Sequence, residues 1–196
     1  MKRLFILLIP LLLASCSVFS PIKNLHSTTY ELNAVPTVAK RKSHSRTLLV
    51  LPVEAESIYN TTEMVYTLRP YEISYFAKNH WAETPAQMLQ PLIVQTLQNT
   101  HFFHAVSSNS TLGHYDYILS TQLLKLQQEF TVQPSVVRLT LRAQLVDAGS
   151  GRIISTKQFS VVEPAAQNNP YGGVIAANKA VAKVLTRLTK FCLKRS

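Results

Sequence analysis

His80 and Glu83 stand three residues apart on either side of Trp81, the only tryptophan in the 196-residue chain. On a helix that spacing puts both side chains on one face, where they could share a metal ion. No second His-x-x-Glu and no Cys-x-x-Cys completes a ligand shell. His101 and His104 flank Phe102 and Phe103 without an acidic neighbour. "DAGSG", residues 147–151, sets a serine between glycines, but a nucleophile elbow needs G-x-S-x-G at a strand-to-helix turn. The alternating flanks here read as two strands, so this is a hairpin turn. "NNPYGG", residues 168–173, precedes a helix and could offer backbone amides to an anion. It lacks G-x-G-x-x-G and the P-loop lysine, so it reads as a loop and helix cap. These residues yield no nucleophile–base pair, and the chain is expected to be no enzyme and to carry no metal and no cofactor.

Chemistry of a different kind is written at the N-terminus. Lys2 and Arg3 precede an apolar run, residues 4–14, that contains Pro10. The run is shorter than the ~20 residues a membrane-spanning helix needs, and it fits a secretory signal. "LASC" follows it, and the small residues Ala14 and Ser15 before Cys16 resemble the lipobox of bacterial lipoproteins. The resemblance implies cleavage before Cys16, a thioether to diacylglycerol and an acylated amine. Three acyl chains anchor a protein stably without a spanning helix. By resemblance to enterobacterial lipoprotein sorting, Ser17 rather than aspartate after the cysteine favours the outer membrane. With Cys16 so used, Cys192 has no partner for a disulfide and reads as a small apolar residue on the last helix.

Charge narrows the partners. The formal net charge is +10, and removal of Lys2 and Arg3 leaves +8. Export takes the chain away from nucleic acid, so its anionic partners are headgroups, polymers or acidic proteins. Lys40, Arg41, Lys42 and Arg46 precede the domain, and Lys179, Lys183, Arg187, Lys190, Lys194 and Arg195 lie on or after the last helix. Solubility and headgroup contact account for both clusters.

The elements that must position these residues follow from periodicity. Residues 1–15 form the signal, 16–45 a lipid-anchored tether with one short strand at 28–32, and 46–193 the domain. Residues 47–53 are apolar on both faces, as in a central strand covered on both sides. Two short strands, 63–68 and 71–76, flank Arg69-Pro70, which leaves Lys78 and Asn79 in a following loop. Thr84, Pro85 and Gln87 spell a capped helix start, with Pro91 inside the helix. A strand at 115–126 precedes one at 135–146, in which Val137, Leu139, Leu141, Ala143 and Leu145 alternate with polar residues. Pairing Asp147 with Gly151 sets Leu145 against Ile153, Leu139 against Phe159 and Val137 against Val161. A last helix over 174–193 lines Val174, Ala177, Val181, Val184, Leu188 and Phe191 on one side. The fold class is α+β: a single domain with a mixed, mostly antiparallel sheet and two main helices packed on it.

Several segments in order resemble one family. "YEISYFAKNHWAETPAQML" (residues 71–89), "NTHFFHAV", "YDYILSTQLLKLQQEF", the hairpin from Arg138 to Ala165 and "NNPYGGVIAANKAVAKVL" are similar to the ABC-type transport auxiliary lipoproteins, the family of paraquat-inducible protein C. The long basic tether departs from that pattern. The resemblance implies a non-catalytic, outer-membrane-anchored accessory that docks a periplasmic mammalian-cell-entry (MCE) domain protein of an ABC lipid transport system. Under it, Tyr71, Tyr75, Phe76, Lys78, Asn79 and Trp81 form a docking patch. The competing reading of the aromatics is core, with Trp81 stapling the helix start to the sheet. Self-association stays open. The alternative functions are a structural envelope lipoprotein that binds the cell wall or an assembly machine, and a hydrolase acting on lipid or wall polymer.

Overall fold

The structure is a computed structural model that describes residues 27–110 and 113–195, so Cys16 and the signal segment lie outside the described residues. In chain order the elements are β1 (Thr28–Tyr30), β2 (Thr47–Val50), β3 (Glu54–Ala55), β4 (Glu63–Thr67), β5 (Ser74–Trp81), α1 (Pro85–Gln98), β6 (Ala105–Ser107), β7 (Tyr117–Glu129), β8 (Val136–Asp147), β9 (Ile153–Pro164) and α2 (Pro170–Arg195).

All the strands belong to one nine-stranded mixed sheet. β7 is its spine. On one side β7 pairs antiparallel with β8, and β8 with β9; on the other, β2, β3 and β4 pair parallel with it in succession. β5 then pairs antiparallel with β4, β1 parallel with β5, and β6 parallel with β2. The long ladders, β7–β8 and β8–β9, are antiparallel, as the α+β reading expects.

The period-two pattern of β8 sends Val137, Leu139, Leu141, Ala143 and Leu145 into the core. Both helices join the same buried cluster, where Leu89, Ile93 and Leu97 of α1 meet Val181, Leu185 and Leu188 of α2. The expected cap of α1 is present: Gln87 N–H donates to Thr84 Oγ1 at 3.4 Å, and Thr84 N–H to Gln87 Oε1 at 3.1 Å. The start of α2 lies close to its neighbours, and a Cβ on Gly172 would stand 2.2 Å from the Gln167 carbonyl oxygen. Cys192 is fully buried on α2, and burial pushes its thiol up to about 12.

Three expectations need correction. The β8–β9 register is two residues further on: Leu139 opposes Val161, Leu141 opposes Phe159, Val137 opposes Glu163 and Leu145 opposes Ser155. Gly151 N–H does bond to Asp147 C=O, with Gly151 at φ +68°, so the three-residue loop is there. An irregularity between Leu145 and Val146 then adds to the slip at Gly151 and leaves Ile153 exposed. The slip is even, so the apolar faces still coincide. Next, β5 begins at Ser74 and runs to Trp81, which puts Lys78 and Asn79 on a strand and not in a loop. Finally, the segment expected to be a tether packs on the domain from Thr28. Leu32 enters the core, Asn33 and Ala34 N–H bond to Asn178 Oδ1, and Arg41 and His44 N–H bond to the carbonyls of Thr100 and Phe102. Residues 31–45 form a strap across the helical layer.

Candidate functional site

Position along β5 decides which aromatics can meet a partner. Val65 pairs with Tyr75, but Glu63 pairs with His80, so β5 gains three residues on β4 between these pairs. An odd insertion reverses the pleat. Tyr75 and His80 therefore share the open face of the sheet, while Phe76 and Trp81 both turn towards the helices. Trp81 is 5% exposed. Its backbone N–H donates to Thr62 C=O at 2.7 Å, and its side chain joins Phe76, Met64 and Gln128 around a void of about 10 Å³ beside α2. That volume has room for no more than one water. The Phe76 ring packs 4.4 Å from Tyr66, and both approach Phe130. Of the six residues expected in the docking patch, Trp81 and Phe76 thus belong to the interior, and Asn79 is half-buried opposite Thr28. Lys78 is exposed on the strand.

Tyr71 and Tyr75 do reach solvent, in company that sequence reading did not supply. Leu68, Tyr71 and Ile73 occupy the β4–β5 turn, and Val132 follows β7, whose end is tied to it by Phe130 N–H to Thr67 C=O. All are exposed apolar side chains. Tyr71 is fully exposed and holds φ +68°, a left-handed conformation that costs a residue with a Cβ about 1–2 kcal/mol.

Behind this tip is a cleft of about 410 Å³ lined by Tyr59, Tyr71, Ile73, Lys125, Gln127 and Glu129, among others. Its floor is a closed polar chain. Tyr59 Oη donates to Gln127 Oε1 at 2.8 Å, and Gln127 Nε2 donates to Glu129 Oε1 at 3.1 Å. Arg138 Nε and Nη2 grip the two carboxylate oxygens of Glu129 at 2.8 and 3.0 Å. The Arg138 hydrogen bond holds the Glu129 carboxyl below its usual range. Burial, then the charge of Glu129, pushes Tyr59 up to about 12. The phenol therefore stays a donor and the carboxylate an acceptor across ordinary pH. Both are saturated by protein partners, which suits a rigid floor under a contact surface. Part of this floor was in reach of the alternation that places Arg138 outward; Tyr59 was not, because it comes from a one-turn 3-10 helix, Ser57–Tyr59, between strands.

The other chemical candidates separate. His80 lies on β5 and Glu83 in the turn before α1, so the helical spacing that would bring them together does not exist. No group of three or more His, Cys, Asp or Glu side chains is placed to hold a metal among the described residues. Ser150 is engaged in its turn, donating from N and Oγ to Asp147 Oδ1 at 2.8 and 2.7 Å. Asn169 Oδ1 accepts from Gly172 N–H at 2.8 Å and so closes the first turn of α2. No helix of the described residues is long and apolar enough to cross a membrane.

These features define a single α+β domain that offers an apolar and aromatic surface over a braced polar floor. The sequence signature of the ABC-type transport auxiliary lipoprotein component matches residues 30–189, and the chain belongs to that family. The fold is similar to that of protein XCC0632 from Xanthomonas campestris, described as DUF330, with a TM-score of 0.75 at 20% identity over 86% of this chain and 96% of that one. It is similar as well to a second solved structure, described as an uncharacterized protein, with a TM-score of 0.70 at 16% identity over 85% and 98% of the two chains. No curated protein matches the chain.

Proposed function

We propose that this protein is a non-catalytic, acyl-anchored accessory of an MCE-type ABC lipid transport system. Cys16 holds it to the periplasmic face of the outer membrane, and the tip around Tyr71 docks the periplasmic MCE protein. The family supplies the lipoprotein and the transporter. The observation that carries the docking step is Tyr71. Its side chain is fully exposed and its backbone is strained, so no contact among the described residues accounts for a tyrosine there. Leu68, Ile73, Tyr75 and Val132 surround it with the apolar contact area that binding hot spots use.

Tyr71→Gly tests the docking. Glycine accepts φ +68° freely, so the variant keeps or gains thermal stability while it loses the ring. Co-purification of the MCE protein from solubilised envelopes should fall at least ~10-fold, as for a hot-spot tyrosine. Undiminished co-purification removes the tip from the interface. Cys16→Ala tests the anchor: the variant should leave the membrane fraction, and retention after a high-salt wash would count against lipidation.

A further inference from the structure

We propose that the C-terminal end of α2 is a second docking face, built for the anionic headgroups of the membrane in which the protein is anchored. Lys157, Arg187, Lys190, Lys194 and Arg195 converge on one cleft, and no carboxylate among the described residues lines it. Arg41 and Lys42 from the strap meet Lys190 and Lys194 around an adjoining cleft, again without a carboxylate. None of these cations enters an ion pair among the described residues, although Arg46, Arg69, Arg138 and Lys183 each do. Lys194 and Arg195 in the last turn suit the negative end of the helix dipole. The dipole does not account for Lys157 of β9 or for Arg41 and Lys42 of the strap, two further stretches of backbone that reach the same end of α2. Half-buried Phe102 and Leu193 stand among the cations. Such a mixture of long cationic stems and apolar rings matches the phosphate layer of a bilayer and the boundary beneath it.

The position of the anchor selects a membrane over an acidic protein or polymer, and here the inference rests on the proposed lipidation of Cys16. Eleven peptide links separate Cys16 from Ser27, a leash of at most ~40 Å. Asn178, which bonds Glu31 C=O, and Lys194 are about 24 Å apart along α2, and the four peptide links from Ser27 to Glu31 add at most about 13 Å, so the path from Ser27 to the basic end is within the reach of the leash. The leash therefore lets the basic end rest on the bilayer. Lys157 is level with Thr121 of β7 through Ala143, and the Tyr71 tip lies beside Glu129, eight residues or about 27 Å further along, so it stays clear of the headgroups and open to a partner.

The acylated full chain, incorporated into vesicles, separates this face from the anchor. Acetylation rates of Lys157, Lys190 and Lys194 are followed by mass spectrometry relative to Lys78, in pure phosphatidylcholine and in phosphatidylcholine with phosphatidylglycerol. In the anionic vesicles the three lysines should slow at least ~5-fold, the effect of about one cation's worth of headgroup attraction. The slowing should vanish in 1 M salt, where the screening length is about 3 Å. In Arg187→Glu/Arg195→Glu the protection of Lys157 should be lost. Equal rates in the two vesicle types overturn the proposal and leave the basic end to an acidic protein or polymer. A chain that fails to enter neutral vesicles overturns the anchor alone. In that event, salt-sensitive sedimentation with the anionic vesicles still supports the face, and its absence overturns the face as well.

Discussion

Trp81 and Glu129 show how two side chains of β5 and β7 serve the surface without being part of it. Truncating Trp81 to alanine empties the space it shares with Met64 and Phe76 under α2, and a buried tryptophan lost in this way costs about 3–5 kcal/mol. Urea unfolding of Trp81→Ala should show that loss, whereas Tyr71→Gly should not; equal midpoints would mean that Trp81 does not carry the packing described. Glu129 makes a prediction about pH. Its folded carboxyl is held below the ordinary 4.5 by the hydrogen bonds from Arg138, so the pair stabilises the protein above that value. The stability is lost as pH falls through the lower, folded value, because the unfolded chain takes up the proton first. Glu129→Gln should therefore flatten the dependence of melting temperature on pH below about 4.5 and leave the neutral-pH difference between the variants nearly constant above it. A parallel acid limb in the two proteins would assign that limb to Asp116 and Asp147, whose carboxyls are lowered as well.

At the scale of elements, the clearest contrast lies within β8. Leu141 is 1% exposed and its neighbour Arg142 is solvent-exposed. Leu141→Asp buries a charge with no partner and should abolish cooperative unfolding in circular dichroism, while Arg142→Asp should shift the midpoint by no more than about 0.5 kcal/mol. Similar behaviour of the two would mean that the inward face is misassigned. That face was legible in the sequence because period-two alternation over a long strand admits one reading. The capped start of α1 was legible too, from Thr84, Pro85 and Gln87, since capping is local chemistry. The β8–β9 register was not, because the irregularity at Leu145–Val146 leaves no mark in residue type. The choice between docking and core for Trp81, both of which the sequence allowed, was left undecided for the same reason. Three residues inserted within β5 invert its pleat, and no glycine or proline announces them. The floor of the cleft draws on Tyr59, Gln127, Glu129 and Arg138, three stretches that become neighbours only through the parallel and antiparallel pairing of β7. Sequence reading therefore found the stretch that carries Tyr71 and Tyr75 but could not tell its outward residues from its inward ones.

For the molecule as a whole, the strap is what carries the chain from β1 across the helical layer to β2. Residues 31–45 are pinned along the helical layer from α2 to Phe102, and do not hang free of it. Asn178 is the first pin. Its Oδ1 accepts from Asn33 and Ala34 N–H at 2.9 and 3.2 Å, and its Nδ2 donates to Glu31 C=O at 3.1 Å. Beside it, the Tyr30 and Tyr171 rings stand 6.1 Å apart. Asn178→Ala removes all three hydrogen bonds at once and leaves backbone groups of the strap to find water. The expected cost is about 1–3 kcal/mol, since most of these groups are close enough to solvent to be rehydrated. Global unfolding will register that cost only if the strap is cooperative with the core, which the burial of Leu32 predicts. Amide exchange distinguishes the two cases. In Asn178→Ala the amides of Asn33 and Ala34 should exchange much faster, while Arg41 and His44, bonded to Thr100 and Phe102, keep their protection. Loss of protection along the entire strap would show that it is one cooperative unit peeled from one end. Unchanged exchange at Asn33 would show that Leu32, not Asn178, holds it in place.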